Sequence, residues 1–462
     1  MQKNPRIWWL CGWFPANSSP LAGNFIWRHA QAVWRNFRST ELILFHFPTY
    51  FWGQLPPKPV GDEWGEWVID TRYSLNYGYR WQEKRSTVEE TKAHEVNSGQ
   101  LKWVDSNEVN SSNAMLLYFR PVVQFRSKYL LSINFFYYTF IVIYRLMRMN
   151  ALLGKPKVVH LHVADKIGMP FWITQKLIWA KVSAYYTEHW AIFGTPVQDR
   201  YEKRNAVFRF YYKKVWANID VAASISVFTH QWMQRTFHEA KQMIFLPNVV
   251  NTEQFKYNSD SFSSSKDFLH VSNFEKRKRV LEIIAAFQYW KEYLVSENTE
   301  KVKLRLVGAD KDLLERQLAA LVDQGFLING KWQKIDLHDV NLVWMGKLSS
   351  EIVAQQMQQS KALILFSTAE NAPCVISEAL CSGLPVISNK LAAIPEMIID
   401  GENGLLIDDS IEDLVTAIHG IMRKDDYDRK HISIAAKKNY YSENVVTELI
   451  QSYKEVIDGG KS

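Results

Sequence analysis

Short apolar runs recur along both halves of this 462-residue chain, and helical patterns lie between most of them. Uninterrupted apolar runs are typical of strands that are buried on both faces of a parallel sheet. Their repetition predicts a doubly wound α/β arrangement, formed twice. The predicted strands are Arg6–Cys11, Glu41–Phe47, Lys157–Leu161, Ser183–Glu188 and Asp220–Ile225 in the first half, and Phe268–Ser272, Lys303–Val307, Asn341–Met345, Ala362–Phe366, Leu384–Ser388 and Gly404–Ile407 in the second.

A polar, serine-rich segment, Phe255–Phe268, separates the two sets of strands and is the best candidate for a linker. The chain is long enough for two domains of ordinary size. We therefore predict an N-terminal domain over residues 1–255 and a C-terminal domain over residues 256–440.

Cysteine content and the start of the chain both indicate a reducing cytoplasm. The three cysteines are odd in number and lack metal-ligand spacing, which argues against a disulfide framework. The apolar stretch near the N-terminus is too short for a signal peptide and is better explained as the first core strand. The formal net charge of +7 suits polyanions or anionic membrane surfaces, with simple solubility as the alternative.

The most informative segment is STAENAPCVISEALCSGLPVIS. The apolar run Ala362–Phe366 predicts a buried strand, Val375–Cys381 a helix that Gly383 ends, and Pro373 suits the first helical position. Ligands bind at the carboxyl ends of strands in such βαβ units, where the free amides at the start of a helix favour phosphate.

Two acids frame this predicted phosphate site. Glu370 lies on the loop, and Glu378 lies about 7 Å along the following helix. They can contact opposite ends of one extended ligand that has hydroxyls at both ends, such as a nucleotide-sugar. The alternative is that Glu370 is a solvated loop acid and Glu378 an acid favoured by the helix dipole.

The longer segment ENAPCVISEALCSGLPVISNKLAAIPEMIIDGENGLLID resembles the donor-binding signature of the family 4 glycosyltransferases. The resemblance implies the GT-B fold, in which two Rossmann-like doubly wound parallel-sheet domains face each other across a cleft. It implies that Glu370 contacts the transferred sugar and that Glu378 holds the nucleotide ribose. It also implies donor-pocket amides around Ala372, Pro373, Cys374 and Val375.

Other segments resemble the family less closely. LPNVVNTEQF matches its interdomain hinge, and the resemblance implies that the last helix, within residues 441–462, crosses back to the first domain. The family usually has two glycines before I-P-E, where this chain has Ala392 and Ala393, so a less tight turn is expected there.

A second phosphate-binding element is predicted in HVSNFEKRKRVLEII. Cations at the end of a parallel strand suit a diphosphate, and the family lysine corresponds to Lys278, which is expected to stabilise the leaving phosphate. The family arginine is replaced by Asn273, which can donate to a phosphate oxygen without neutralising it. Arg277 or Arg279 could supply the missing charge, and a solvated face is the alternative for Lys276 and Arg277.

The first domain is expected to hold the acceptor. Gly23 and Asn24 match the family's loop near the donor phosphates, and Arg28 and His29 follow one turn later as cleft or surface residues. His189 ends a predicted strand, where the family often has a histidine near the sugar. We expect His189 to contact the donor sugar or its phosphate, with an ordinary buried histidine as the alternative.

The resulting hypothesis is a retaining, metal-independent hexosyltransferase that uses a UDP- or GDP-type sugar and no other cofactor. Its expected acceptor is a saccharide or lipid-linked saccharide of the cell envelope or an exopolysaccharide. The expected location is the cytoplasm or the inner face of the membrane, with no nucleic-acid partner. The alternatives are a non-catalytic sugar-nucleotide-binding protein, or a GT-B epimerase or phosphorylase.

Two further segments bear on this hypothesis. Asp310 and Asp312 form a D-x-D pattern, but Asp310 is better explained as a helix N-cap than as a metal ligand. The uncharged stretch Tyr129–Tyr144 is shorter than a membrane-spanning helix. It predicts a core helix of the first domain, with a helix lying on a membrane surface as the alternative.

Overall fold

The computed structural model describes residues 4–14, 24–51, 65–70, 78–83, 115–119, 122–124, 131–191, 193, 200–239, 241–259, 266–294, 301–321, 324–423 and 427–459. Within these residues the chain forms two α/β units, each built around a parallel sheet. A connecting segment that includes the residues around Pro247 and Phe255 joins them.

The N-terminal unit alternates strands and helices along most of its length. Its strands are β1 (Arg6–Cys11), β2 (Glu41–His46), β3 (Thr49–Phe51), β4 (Gly65–Asp70), β5 (Gly78–Glu83), β6 (Met115–Phe119), β7 (Val122–Gln124), β8 (Val158–His162), β9 (Ser183–Thr187), β10 (Val221–Ser224) and β11 (Gln242–Phe245). Its helices are α1 (Asn24–Asn36), α2 (Leu131–Leu153), α3 (Gly168–Leu177), α4 (Ala206–Ala217) and α5 (Val227–Phe237).

Nine of these strands form one sheet within the described residues, in the order β11-β10-β9-β8-β1-β2-β6-β5-β4. The strands from β11 to β6 are parallel, and β5 and β4 extend the sheet antiparallel. The strand order reverses at β1 and β8, so a crevice opens beyond their carboxyl ends. Helices α2 to α5 cover one face of this sheet with a core rich in tryptophan and tyrosine.

The C-terminal unit repeats the same design. Its strands are β12 (Phe268–Ser272), β13 (Leu304–Gly308), β14 (Gly325–Ile328), β15 (Lys331–Lys334), β16 (Leu342–Gly346), β17 (Ala362–Leu365), β18 (Val386–Asn389) and β19 (Gly404–Ile407). Its helices are α6 (Val280–Tyr293), α7 (Lys311–Ala319), α8 (Ser350–Gln358), α9 (Cys374–Cys381), α10 (Ile394–Met397), α11 (Ile411–Arg423) and α12 (Arg429–Tyr440).

The described strands of this unit form a parallel sheet in the order β16-β13-β12-β17-β18-β19, with β14 and β15 as a separate hairpin. The order reverses between β12 and β17, which places the loops after Ser272 and Leu365 side by side. Both predicted donor-binding segments follow these two strands.

The last helix, α13 (Ser442–Gly459), packs on the N-terminal unit. It lies against α1, β8 and β11 on the sheet face opposite α2, where Leu449 and Tyr453 are fully buried. The backbone amide of Val250 donates to Tyr440 O at 3.0 Å, just before the crossing. The two units are therefore tied both by the connecting segment and by this helix.

Candidate active site in the interdomain cleft

A cavity of about 1080 Å³ lies between the two units at the carboxyl ends of their strands. The C-terminal unit contributes the loops after β12 and β17 and the start of α9. The N-terminal unit contributes aromatic side chains and one histidine. The lining includes Trp13, Phe25, His189, Trp190, Asn248, Ser272, Asn273, the run Glu275–Arg279, Glu282 and the run Thr368–Val375.

Lys278 and Glu370 meet in this cavity. Lys278 ends a short 3₁₀ turn after β12, and its ammonium donates to the Glu370 carboxylate beyond β17. Both side chains are mostly buried, at 12% and 7% exposure, so the pair is held in a setting of reduced dielectric. Two groups predicted from separate motifs thus occupy the same point of the cleft.

The structure distinguishes the two arginines that could replace the family's missing cation. Arg277 Nη1 lies 3.9 Å from Glu370 and donates to Ala369 O at 3.1 Å, beside the lysine. Arg279 lies over the Phe366 ring at 3.8 Å and is also engaged by two carboxylates, those of Glu282 and Asp409. Arg277 Nε also donates to Glu275 at 2.7 Å, but its side chain is 40% exposed whereas that of Arg279 is 13% exposed. Arg277 is therefore the cation that is more accessible to a ligand in the cavity.

Asn273 lies at the mouth of the cavity in an exposed turn. Its Nδ2 donates to Glu275 Oε1 at 2.7 Å, and its Oδ1 accepts from the Glu275 amide at 3.3 Å. These local hydrogen bonds hold the loop after β12 in its turn. A role in donor binding would require the amide group to turn from Glu275 to the ligand.

The start of α9 points into the cavity, as its sequence predicted. Pro373 is the N-cap residue and not the first helical residue, which corrects the predicted position by one, because the helix begins at Cys374. No side chain caps this helix start, so the amides of its first turn can bind an anion. Asn248 donates to Ala372 O at 2.8 Å and fixes the preceding loop from the N-terminal unit.

Burial keeps the Cys374 thiol protonated at the start of this helix. Its pKa is raised to about 11, chiefly by desolvation and next by the nearby Glu378 carboxylate. Cys374 can therefore line the pocket as a small neutral group. It is not poised as a nucleophile.

Glu378 lies one turn further along α9, and its carboxylate meets the N-terminal unit. Arg28 Nη1 on α1 donates to Glu378 Oε1 at 2.8 Å, and both side chains are less than a fifth exposed. Of the two N-terminal residues considered, Arg28 thus faces the other domain. His29 is fully buried and its Nε2 bonds to Pro247 O at 2.8 Å.

The loop predicted to approach the donor phosphates is only partly described. Gly23 lies outside the described residues. Asn24 begins α1 and lines a different cavity of about 650 Å³, together with Arg28 and Arg35.

His189 lies on the N-terminal wall of the cleft, two residues beyond β9. Its ring stacks on Phe25 with 4.3 Å between centroids, and it is 8% exposed. Neither ring nitrogen has a hydrogen-bond partner among the described residues. Burial holds its pKa well below the usual value, so the ring is neutral near pH 7 and has one donor and one acceptor available.

A buried network supports this wall from behind. His160 on β8 bonds through Nδ1 to the Tyr453 hydroxyl at 2.5 Å and through Nε2 to Thr187 Oγ1 at 2.8 Å. Its ring stacks on His162 with 4.1 Å between centroids, and the His162 ring lies 5.8 Å from that of His189. The crossing helix α13 therefore contacts the network that lies behind His189.

Glu188 lies directly behind the same wall and is fully buried. Its carboxylate accepts from the Tyr186 hydroxyl, from the Trp190 amide at 2.8 Å and from the Tyr212 hydroxyl at 3.3 Å. Desolvation is the largest influence and raises its pKa to about 7, although these donors oppose the shift. A carboxyl group with this pKa titrates near neutral pH.

Sequence reasoning missed an interdomain contact made by Glu396. Its carboxylate accepts from the amides of Val227 at 3.0 Å and Phe228 at 2.6 Å, at the start of α5. The acid thus caps a helix of the opposite unit. The I-P-E motif was a visible signal, but it did not indicate a contact across the cleft.

No group of three or more His, Cys, Asp or Glu side chains is arranged to hold a metal ion in the described part of the chain. Asp310 stands at the N-cap of α7 in extended backbone, although its side chain makes no capping hydrogen bond.

Comparison with known proteins identifies the class of fold. A sucrose-phosphate synthase from Thermosynechococcus elongatus superimposes with a TM-score of 0.67 at 15% identity, covering 98% of this chain and 100% of that one. HepE from Anabaena, in complex with UDP, gives 0.60 at 12% identity over 97% and 100% of the two chains. The protein adopts the α/β GT-B fold, with two Rossmann-like domains facing across a cleft, as predicted.

Sequence comparison narrows this class. Residues 251–439 match the family described as Glycosyl transferases group 1. N-acetyl-alpha-D-glucosaminyl L-malate synthase from Bacillus anthracis is 23% identical over 317 residues, 66% of this chain and 76% of that protein. The family match over residues 251–439 includes every predicted donor-binding residue of the C-terminal domain.

Proposed function

We propose that this protein is a retaining glycosyltransferase that moves a hexose from a nucleoside-diphosphate sugar of UDP or GDP type to a hydroxyl group of an acceptor. The observation that carries the proposal is the meeting of Lys278 and Glu370 at the strand-order reversal, beside the uncapped start of α9. Structural neighbours support the donor class, since HepE has been solved with UDP and with UDP-glucose.

In the proposed complex the donor diphosphate lies between Lys278, Arg277 and the first amides of α9. Lys278 then exchanges part of its contact with Glu370 for a phosphate oxygen, and Glu370 accepts from sugar hydroxyls. Both groups sit in a cavity of about 1080 Å³, which has room for a nucleotide-sugar. The positive charge stabilises the diphosphate as it leaves, which is where negative charge develops.

Glu378 is proposed to hold the nucleotide ribose. Its present bond to Arg28 fixes the carboxylate across the interdomain gap, so the ribose would share this acceptor or displace the guanidinium. Donor binding at Glu378 would therefore be sensed by the N-terminal domain through α1.

In the proposed transfer step the donor and the acceptor are the only reactants. The bond between the anomeric carbon and the acceptor oxygen forms as the bond from that carbon to the diphosphate oxygen breaks. The nucleoside diphosphate leaves with the electron pair, and the acceptor proton passes to a phosphate oxygen of the donor. We propose that lysine, arginine and helix amides perform the charge neutralisation and that no metal is needed.

We further propose a saccharide or lipid-linked saccharide as acceptor, in envelope or exopolysaccharide synthesis. An acceptor that reaches the cleft from the N-terminal side meets Trp13, Phe25 and Trp190, which offer flat surfaces for sugar rings. The exposed apolar and basic surface formed by α2, α3 and α4 is the reason to prefer a lipid-linked form.

A thermal-shift panel of nucleotide-sugars followed by a turnover assay tests this function. A true donor should raise the melting temperature by mass action, and release of its nucleoside diphosphate should require intact Lys278. Product stereochemistry read by proton NMR should show the donor's anomeric configuration. Binding without nucleotide release on any acceptor would instead indicate a non-catalytic binding protein, and conversion of one free nucleotide-sugar into another would indicate an epimerase.

A further inference from the structure

Helices α2, α3 and α4 contain no Asp or Glu, although they form one exposed layer of the N-terminal domain. Acids such as Asp165 and Glu202 lie in the connecting segments. This layer, called here the three-helix face, carries the cations Arg145, Arg148, Lys176, Arg209, Lys213 and Lys214. All charged side chains on these three helices are therefore positive.

The outer side of α2 is largely apolar. Phe140 is 69% exposed, and the exposed positions recur at the helical spacing that defines one face. The opposite side, with Tyr138, Val142 and Leu146, is buried in the core. The exposed apolar set on this face is Ile133, Phe136, Tyr137, Phe140, Tyr144 and Met147.

The neighbouring helices continue this apolar surface. Leu177 at the end of α3 is 61% exposed, and Phe210 on α4 is 49% exposed. Trp172 and Phe210 are in ring contact at 5.6 Å between centroids, so α3 and α4 form a continuous surface. On α4, exposed Lys213 and Lys214 lie three and four residues after Phe210, on the same side of the helix.

We propose that the three-helix face docks on the surface of an anionic phospholipid bilayer. Exposed aromatic and aliphatic side chains enter the interfacial region, and long basic side chains reach the headgroups. Each cation near an anionic surface adds to the attraction. Within the described residues, no helix combines the length and apolar character needed to cross a membrane, so the contact is peripheral.

A second copy of the chain fits this surface less well. In a two-fold symmetric dimer the same patch meets itself, so cations of one copy would approach cations of the other with no acid on either set of helices. An anionic bilayer satisfies both the apolar and the basic parts of the surface.

The three-helix face reaches the mouth of the cleft. Helices α3 and α4 begin at the carboxyl edge of the sheet, after β8 and β9. Trp190, which lines the cleft, contacts Phe208 of α4 at 6.4 Å between ring centroids, and Arg204 lies over the Trp190 ring at 4.5 Å. Resting on the proposed function, this continuity implies that the acceptor arrives from the bilayer with its lipid still embedded.

Vesicle flotation with the full chain tests the docking without any turnover. The protein should float with vesicles of phosphatidylcholine and phosphatidylglycerol and not with phosphatidylcholine alone, and added salt should release it. The double variant Phe136→Glu/Phe140→Glu should lose flotation. Lys213→Gln/Lys214→Gln should weaken partitioning roughly 25-fold, taking about fivefold for each cation at an anionic surface.

Matched controls lie on the other domain. Leu327→Glu/Trp332→Glu changes two comparably exposed apolar residues of the β14–β15 hairpin and should float as the wild type does. The Phe136→Glu/Phe140→Glu variant should keep its melting temperature and its shift with nucleotide-sugar, which separates lost docking from lost folding or lost function. No flotation of the wild type, equal flotation of this variant, or a dimer in sedimentation that the variant abolishes would each overturn the proposal.

Discussion

The two walls of the cleft differ in chemistry although the parallel parts of their two sheets follow the same kind of strand order. The C-terminal wall, called here the charged wall, presents the run Glu275–Arg279 and Glu370. The N-terminal wall, called the neutral wall, presents Trp13, Phe25, His189 and Trp190. In the proposed function this division assigns the two parts of the donor to different walls, because a diphosphate needs compensating charge whereas a sugar ring needs flat surfaces and neutral hydrogen-bonding groups.

The two walls also differ in what holds them. Charged side chains in the C-terminal wall are paired with one another, as Lys278 is with Glu370 and Arg279 with Asp409. Behind the neutral wall, burial suppresses charge, since the pKa values of His162 and His189 lie well below the usual range and that of Glu188 lies above it. A ligand therefore meets preformed charge on one side and a low-dielectric surface on the other.

The largest effect is expected from removing the cation of the charged wall. Lys278→Ala should lower donor turnover about 10³-fold, comparable with the loss of one preorganised donor at a developing anion. It also leaves the buried Glu370 carboxylate without its main partner, so reduced thermal stability should accompany the loss. Steady-state kinetics of nucleotide release measure the first effect and differential scanning fluorimetry the second.

The control for this change is Lys334→Ala, which alters an exposed lysine on β15. It should retain wild-type turnover and stability. Near-normal turnover in Lys278→Ala would mean that the charge of this wall does not act on the leaving group. The proposed difference in function between the two walls would then be wrong.

The second effect concerns the carboxyl group behind the neutral wall. The folded-state pKa of Glu188 is raised from 4.5 to about 7, so the folded protein holds this proton more tightly than the unfolded chain does. The resulting stabilisation is present below about pH 4.5 and is lost as the pH rises through about 7, an amount on the order of 3 kcal/mol. Glu188→Gln cannot lose a proton and should escape this loss.

Urea unfolding at several pH values measures this effect. The free energy of unfolding of Glu188→Gln relative to wild type should increase between pH 5 and pH 8. Buried histidines titrate in both proteins and cancel in the difference. A difference that stays constant with pH would show that Glu188 is not protonated in the folded state.

The third effect tests the neutral character of His189. His189→Phe keeps a ring to stack on Phe25 and removes both nitrogens, and we expect turnover to fall roughly 10- to 100-fold, as for loss of one hydrogen bond to a charged or strongly polar ligand group. Because burial keeps the imidazole neutral, the ratio of wild-type to variant kcat should be the same at pH 6 and pH 8. A ratio that changes across this range would indicate a protonated imidazole and would break the contrast between the walls.

The charged wall was more accessible to sequence reasoning than the neutral wall. The charged wall is formed by contiguous motifs that follow two strands. The sequence therefore predicted that Lys278 and Glu370 follow these strands, and it predicted the first residue of α9 to within one position. On the neutral wall, His189 was predicted from its strand end and from the family resemblance, but Trp13 and Phe25 lie beside it because the segments after β1 and β9 meet the start of α1. Such contacts depend on the sheet order, which no local pattern states.

One element that was not predicted has a recognisable sequence pattern. The β14–β15 hairpin was not predicted, although Asn329 and Gly330 separate its strands, and both residues have positive φ of 47° and 73°. An Asn-Gly pair between apolar runs is a strong hairpin signal. Strands β4 and β5 offered no comparable signal, since they extend the sheet antiparallel beyond its regular βαβ part.

The smallest effect concerns the turn where this chain departs from the family's two glycines. Ala392 has a φ of 49°, a left-handed conformation that costs a residue with a Cβ about 1–2 kcal/mol. The turn therefore keeps the backbone that glycine would favour, and it holds α10, whose Glu396 reaches the opposite domain. Ala392→Gly should raise the free energy of unfolding by about 0.5–1 kcal/mol after the added entropy of the unfolded chain is counted.

The adjacent alanine provides the matched control. Ala393 has a φ of −84°, so Ala393→Gly relieves no strain. Because the Ala393 side chain is buried, the lost methyl group should lower the free energy of unfolding by about 0.5–1 kcal/mol. Urea denaturation of both variants should give shifts of opposite sign. Shifts of the same sign would show that the left-handed turn at Ala392 does not persist in solution. The turn would then not position Glu396 for its contact with the start of α5, which joins the two domains.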